Sequence, residues 1–192
     1  MRGRHTAFTI AALATALVVA VPAAAAEKAG ASKAQIKRGE YLVNYGGCND
    51  CHTPKIMTPN GPQPDPVRLL SGHPSDAHLP PVPPGVVGPN PNQWAALTNA
   101  DLTAWAGPWG TSFAANITPD VATGIGGWTA DQFIKTMRTG KHLGGGRPIL
   151  PPMPWFNLAV LNEGDLRAVF AYLKSIKPMK NQVPQPISPK GP

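Results

Sequence analysis

Acidic residues are scarce in this 192-residue chain: 10 Asp and Glu stand against 17 Lys and Arg, and charged residues of both signs make up only 14%. So few charges, alongside 42% hydrophobic residues, exclude a disordered chain. Cysteine occurs twice, and zinc would need further Cys or His ligands at matching spacing. The apolar run Phe8–Val21 has 14 residues before Pro22, short of the roughly 20 that a spanning helix needs, and no second run approaches that length. The bases are not interleaved with aromatics, which argues against nucleic acid as a partner. There is no internal repeat and no alternation strong enough to predict a sheet. No Ser-His-Asp pattern, phosphate loop or convincing carboxylate pair is evident, so catalysis by this chain alone is the least favoured outcome.

Proline and glycine are abundant instead, with 24 and 20 residues, which rules out a regular, idealised fold through most of the length. The first 26 residues have the tripartite layout of a secretory signal. Arg2 and Arg4 precede the apolar run, and Ala24-Ala25-Ala26 offers a small-x-small cleavage site. Cleavage after Ala26 is expected, in preference to retention as an anchor. The mature chain then begins at Glu27 with a net charge of +5, exported and without a membrane span. Charge is uneven along it: residues 54–134 carry a net −3 and residues 135–192 a net +7, so a basic face is available to steer an acidic partner.

Residues 27–35 form a short lead. A first helix is expected from Ser32 to Tyr45, with Ile36, Gly39, Leu42 and Val43 on one side and Gly46-Gly47 ending it. Segment 54–94 holds twelve prolines and little periodicity, and Pro80–Pro84 reads as extended polyproline II. So long an irregular stretch is tolerable if it wraps something bulky that supplies missing core. A short helix is expected from Asn99 to Trp105, capped by Asn99 and stopped by Gly107. Thr129-Ala-Asp-Gln132 is a capping box opening a helix with Phe133, Ile134 and Met137 on its apolar face and Gly140 as its stop. In the last helix, Asn162 is the cap, Leu166, Val169, Phe170, Leu173 and Ile176 form the stripe, and Pro178 is the stop. The fold class is mostly α with long irregular connections.

Cys48-Asn-Asp-Cys51-His52 invites three readings: a disulfide, a thioredoxin-like redox pair, or covalent haem attachment. A histidine directly after the second cysteine, and an amphipathic helix rather than a parallel-sheet pattern before it, favour haem. Each thiol adds across a vinyl group to give a thioether, the two intervening residues matching the sulfur separation to that of the vinyls. His52 then ligates the iron. A sixth ligand must come from a distant part of the chain. Met1 leaves with the signal, Met57 lies only five residues after His52, Met137 is a core position, and Met179 follows the last helix. Met153 remains, in Pro151-Pro152-Met153-Pro154-Trp155, where flanking prolines reduce the entropy lost in holding the thioether sulfur at the iron. His73, His78 and His142 are alternatives, each with a surface or hydrogen-bonded loop role as its default. Trp155, two residues from Met153, is expected against the haem ring.

Arg38-Gly39-Glu-Tyr41-Leu42, Cys48–His52, the methionine loop and the final amphipathic helix together resemble a class I c-type cytochrome with one haem, over residues 36–178. Leu70-Ser-Gly-His-Pro74, Gly107-Pro-Trp-Gly110, Ala115-Asn-Ile-Thr-Pro-Asp120 and Thr123-Gly-Ile-Gly126 are similar to bacterial periplasmic cytochromes found beside dehydrogenases. The resemblance implies a cytochrome c-like helical fold with the first and last helices crossing, Gly39 permitting close approach and Tyr172 or Phe170 packing on it. Segment 54–94 is then an insertion relative to the smallest members, and 179–192 a tail. It implies haem c held by Cys48, Cys51, His52 and Met153. It also implies single-electron transfer in the periplasm between a dehydrogenase or membrane complex and an acceptor, the alternative being a dedicated cytochrome subunit of one dehydrogenase. An open-iron haem protein is the less favoured option.

Overall fold

A computed structural model describes residues 30–189, and the expected signal peptide lies outside the described residues. Among the described residues, five α-helices are joined by long irregular connections and two small antiparallel sheets. No helix among the described residues is long and apolar enough to cross a membrane.

Helix α1 (Lys33–Tyr45) begins where the Ser32 hydroxyl accepts the Gln35 N–H at 3.2 Å. A short helix α2 (Cys48–His52) follows after Gly46-Gly47. Helix α3 (Ala130–Thr139) opens with the expected capping box, Thr129 and Gln132 each satisfying the other's backbone N–H. Helix α4 (Trp155–Ala159) is one turn. Helix α5 (Glu163–Ser175) starts at Asn162, whose side-chain oxygen accepts the Asp165 N–H at 2.8 Å, and buries Leu166, Val169, Phe170 and Leu173.

At the α1–α5 crossing the two helix backbones come into direct contact. A Cβ placed on Gly39 would lie 1.9 Å from the Ala168 carbonyl oxygen and 2.8 Å from Tyr172 Cβ, so only glycine lets the two backbones approach this far. This matches the expected role of Gly39, with Tyr172 as its neighbour. Arg38 closes the crossing from outside, its Nε donating to Asp165 Oδ1 at 2.8 Å and its Nη2 to Oδ2 at 3.2 Å. Beneath lies one core of Val43, Leu70, Ile125, Phe133, Met137, Leu166, Val169, Phe170 and Leu173. Phe133 and Phe170 meet with ring centroids 5.4 Å apart. Burying each of the large side chains is worth about 1.5–3 kcal/mol.

Two sequence expectations are corrected here. Strands do form: β1 (Lys55–Thr58) pairs with β2 (Gly61–Pro64), and β3 (Leu97–Thr98), β4 (Ala104–Gly107) and β5 (Gly110–Phe113) form a second sheet. The helix expected over Asn99–Trp105 is absent. Asn99 does act as a cap, but of a turn: its Oδ1 accepts the Thr103 and Ala104 N–H groups at 2.9 and 3.0 Å. Leu102 takes a positive φ of 59°, which no helix interior allows. Beyond it Ala104 and Ala106 alternate into the core with Trp105 and Gly107 between, a period of two that the small alanines disguise. Between β2 and β3 the proline-rich stretch is irregular and Pro80–Pro84 is exposed.

Residues beyond α5 run back across the molecule. Asn181 Nδ2 donates to the carbonyls of Ser71 and His73 at 2.7 and 2.8 Å, and Ile187 exchanges both backbone hydrogen bonds with Thr111.

Two outcomes follow for stability. Gly39→Ala is expected to cost about 1–3 kcal/mol through overpacking at the crossing, read as a lower urea midpoint at unchanged slope. The Arg38 guanidinium holds the Asp165 carboxyl below its ordinary value, chiefly by hydrogen bonding. A depressed carboxylate pKa contributes stability above the unfolded value of about 4 and loses it as pH falls through the folded value. The wild type is therefore expected to exceed Arg38→Met in urea midpoint at pH 7, with the difference vanishing below the carboxylate range.

Candidate functional site

The site is built on α2. Five residues are too few to hold a helix unaided, so neighbours fix it. Thr53 Oγ1 donates to Asn49 Oδ1 at 2.7 Å and accepts the Leu70 N–H at 2.8 Å, tying the turn to the core. Lys55 folds back so that its ammonium donates to the carbonyls of Asn49 at 3.1 Å, Asp50 at 2.9 Å and Thr53 at 2.5 Å. One cation thus satisfies carbonyls at the negative end of α2.

Cys48 and Cys51 are half-buried free thiols that are not joined to each other. Burial pushes the Cys48 thiol up to about 11, and burial followed by the Asp50 carboxylate raises Cys51. Catalytic thiols need the opposite, an environment that favours thiolate, and among the described residues no strand precedes the motif. Both observations argue against a thiol oxidoreductase.

His52 is buried, with 8% of its surface exposed, and its Nδ1 lies 2.7 Å from the Ala115 carbonyl oxygen. A carbonyl only accepts, so Nδ1 carries the hydrogen and Nε2 presents its lone pair. Burial lowers the imidazole's pKa, and the Ala115 bond partly opposes this, so the ring is neutral at pH 7. Among the described residues Nε2 has no hydrogen-bond partner, and no fully buried side-chain nitrogen or oxygen is left without one. A metal-ligating histidine has this arrangement: one ring nitrogen oriented by a carbonyl, the other free and basic. Two thiols separated by two residues, with a lone pair beside them, fit a covalently attached haem.

The Met153 loop reaches the same part of the molecule through β5. Ser112 Oγ donates to the Pro151 carbonyl at 2.5 Å, while Ala115, three residues on, holds His52. Three residues span at most about 11 Å, so one extended segment anchors both loops within that distance. Met153 itself is half-buried between exposed prolines. Trp155 packs its ring over Gly140, where a Cβ would lie 2.4 Å from it, and the positive φ of 64° there also requires glycine.

The other candidates have separate places. Met57 is exposed, Met137 is in the core, and Met179 uses its backbone to bind Asn116 and Thr118. His73 is sealed in, its Nδ1 2.8 Å from Thr103 Oγ1 and its ring against Phe113. His78 is exposed on the irregular stretch, and His142 is exposed with its ring edge-on to Trp128. Sequence reasoning missed Ala115, Ser112, Thr53 and Lys55. Two of them act through backbone contacts across the fold, which no residue spacing announces.

No family model matches the chain. It is similar over most of its length to cytochrome c subunits of dehydrogenases. One is the gluconate 2-dehydrogenase cytochrome c subunit of Pantoea cypripedii, 30% identical over 168 residues, covering 84% of this chain and 29% of the relative. Another is the cytochrome c subunit of the quinone alcohol dehydrogenase of Gluconobacter oxydans (strain 621H), 30% identical over 181 residues, covering 91% and 30%. A third is the fructose dehydrogenase cytochrome subunit of Gluconobacter japonicus, 28% identical over 166 residues, covering 83% and 26%. The chain spans less than a third of the length of these relatives. The similarity supports a c-type cytochrome, with haem and electron transport as its business.

Lys55→Met is expected to destabilise the protein by about 1–2 kcal/mol by orphaning the α2 carbonyls, with Lys55→Arg recovering part of the loss in the same urea titration.

Proposed function

We propose that this chain is a cytochrome c domain carrying one haem, bound through thioethers at Cys48 and Cys51 and ligated by His52 and Met153. It serves as the electron-transferring component of a dehydrogenase system outside the cytoplasm. The observation that carries the reading is the Cys48–His52 turn with His52 Nδ1–H fixed on the Ala115 carbonyl, which leaves Nε2 free to ligate. Haem c, when bound, supplies a one-electron iron couple whose potential is raised by methionine ligation and an apolar surround.

The chain's own residues supply attachment, orientation and exclusion of water. Cys48 and Cys51 are the attachment points, and the Ala115 carbonyl sets the tautomer and plane of His52. Thr53 and Lys55 hold the turn that carries all three. The Ser112 bond to Pro151 holds the methionine loop. With His52 and Met153 both given to the haem, no donor position would be left for substrate, and the chain's part would be electron transfer. Between a diffusing carrier and a dedicated subunit, the relatives favour the subunit, since their names are those of dehydrogenase subunits.

Absorption spectra of the purified exported protein, oxidised and reduced, with and without carbon monoxide, test this. A low-spin c-type spectrum is expected, unmoved by carbon monoxide, with the methionine-to-iron feature lost in Met153→Ala. One haem per chain is expected by pyridine haemochrome assay. A high-spin or carbon-monoxide-responsive native protein would replace the carrier by an open-iron haem protein. Co-purification with a dehydrogenase in fixed ratio separates the subunit from the free carrier.

A further inference from the structure

Helix α5 ends at Ser175, and the residues after it are laid back over the molecule. Residues 176–189 contain no helix and one isolated β-bridge, and four prolines (Pro178, Pro184, Pro186 and Pro189) stiffen them. Their course is set by hydrogen bonds to other segments. The Met179 N–H donates to Thr118 Oγ1 at 3.1 Å, and its carbonyl accepts Asn116 Nδ2 at 2.7 Å. The Asn181 N–H donates to Thr123 Oγ1 at 3.0 Å. Its side chain turns to the loop 71–75, where Oδ1 accepts the Ser75 N–H at 3.0 Å and Nδ2 donates to the carbonyls of Ser71 and His73. Further on, Ile187 exchanges backbone hydrogen bonds with Thr111 at 2.8 and 2.9 Å. Ile187 is 59% exposed, so backbone bonding rather than side-chain burial attaches it.

These anchors bracket one segment. Thr111 and Asn116–Thr118 lie at the two ends of the stretch that carries Ser112, bonded to the Pro151 carbonyl, and Ala115, whose carbonyl accepts the His52 Nδ1–H. The loop held by Asn181 packs on the same stretch. His73 N–H donates to the Ala114 carbonyl at 2.9 Å, and Gly72 N–H to the His52 carbonyl at 2.8 Å. Gly72, at a φ of 79°, leaves no room for a Cβ against the Ala114 and Ala115 carbonyls. Each bond of the tail therefore ends on a segment that holds either His52 or the methionine loop.

We propose that residues 179–187 are a strap that positions both haem ligands, with Asn181 and the Ile187–Thr111 pair as its clasps. The strap acts on His52 through the Ala115 carbonyl and on Met153 through Ser112 and Pro151. Asn181 is a positioning residue, because it works through the segment 110–118. The proposal rests on the haem-ligation reading and adds to it the part of the chain beyond α5.

The test follows both ligands in the holoprotein. Imidazole competes with methionine for ferric iron, and its apparent affinity scales with the fraction of molecules whose methionine loop is open. Ile187→Pro removes the N–H donated to Thr111 and is expected to bind imidazole about tenfold more tightly than wild type. Asn181→Ala is expected to do the same, and to speed exchange of the His52 Nδ1–H about tenfold in the ¹⁵N-labelled, dithionite-reduced protein. Arg38→Met, weakened at the α1–α5 crossing instead, is expected to stay within about twofold in both readouts, since it loosens neither loop. If Asn181→Ala does not fold with haem, Asn181→Asp replaces it, keeping the acceptor for Ser75 and losing both donated bonds. If neither folds, Ile187→Pro decides alone. Folded, haem-loaded strap variants within about twofold of wild type overturn the proposal. An equal gain in Arg38→Met also overturns it, because imidazole affinity would then follow overall stability. The reading beneath reports separately through the wild-type spectrum. A wild type without the methionine-to-iron feature, or a Met153→Ala variant that keeps it, defeats Met153 as a ligand and the strap's action on it.

Discussion

The crossing of α1 and α5 at Gly39 is a backbone-to-backbone contact, and the position of the candidate site follows from it. Cys48 begins three residues after α1 ends, with only Gly46-Gly47 between them. Where α1 lies against α5 therefore sets where the Cys48–His52 turn can be. Van der Waals contact at this density tolerates no added methyl, as the 1.9 Å clash of a Cβ with the Ala168 oxygen shows. The Arg38–Asp165 pair and the buried stripe of α5 reinforce the same contact from two sides.

From that starting point the irregular chain is held by side chains bonding to backbone rather than by long ladders. Asn116 Nδ2 donates to the Met179 carbonyl at 2.7 Å, and its Oδ1 accepts the Thr118 N–H and hydroxyl at 3.0 and 2.7 Å. Asp120 Oδ1 accepts the N–H and hydroxyl of Thr123, both at 2.7 Å, and Asn181 clasps Ser71 and His73. Asn, Asp, Ser and Thr compete with regular structure by such bonds, which is how a chain with 24 prolines keeps its buried backbone satisfied. The segment from Gly110 to Thr118 takes part in several contacts of this kind. It holds His73 and His52, through the carbonyls of Ala114 and Ala115, and the methionine loop through Ser112.

Electrostatics divides the molecule along the same lines. Inside, burial raises both thiols and lowers His52. Outside, Arg38, Arg68 and Arg167 are each paired with a carboxylate.

What the sequence determined by itself is local. Ser32, Thr129 and Asn162 begin their helices as their side chains dictate, because a cap bonds an N–H only three residues away. The Cys48–His52 spacing carries its chemistry within five residues. The core stripe of α5 follows from its 3.6-residue period. Asn99 shows the limit: it was legible as a cap, but whether a helix or a strand came next depended on Ala104 and Ala106 finding a core to enter. The carbonyl that orients His52 lies 63 residues away, and the hydroxyl that holds the methionine loop lies 39 residues from it. Those partners were decided by tertiary structure alone, because backbone carbonyls are identical along the chain and only folding selects which one faces a given ring.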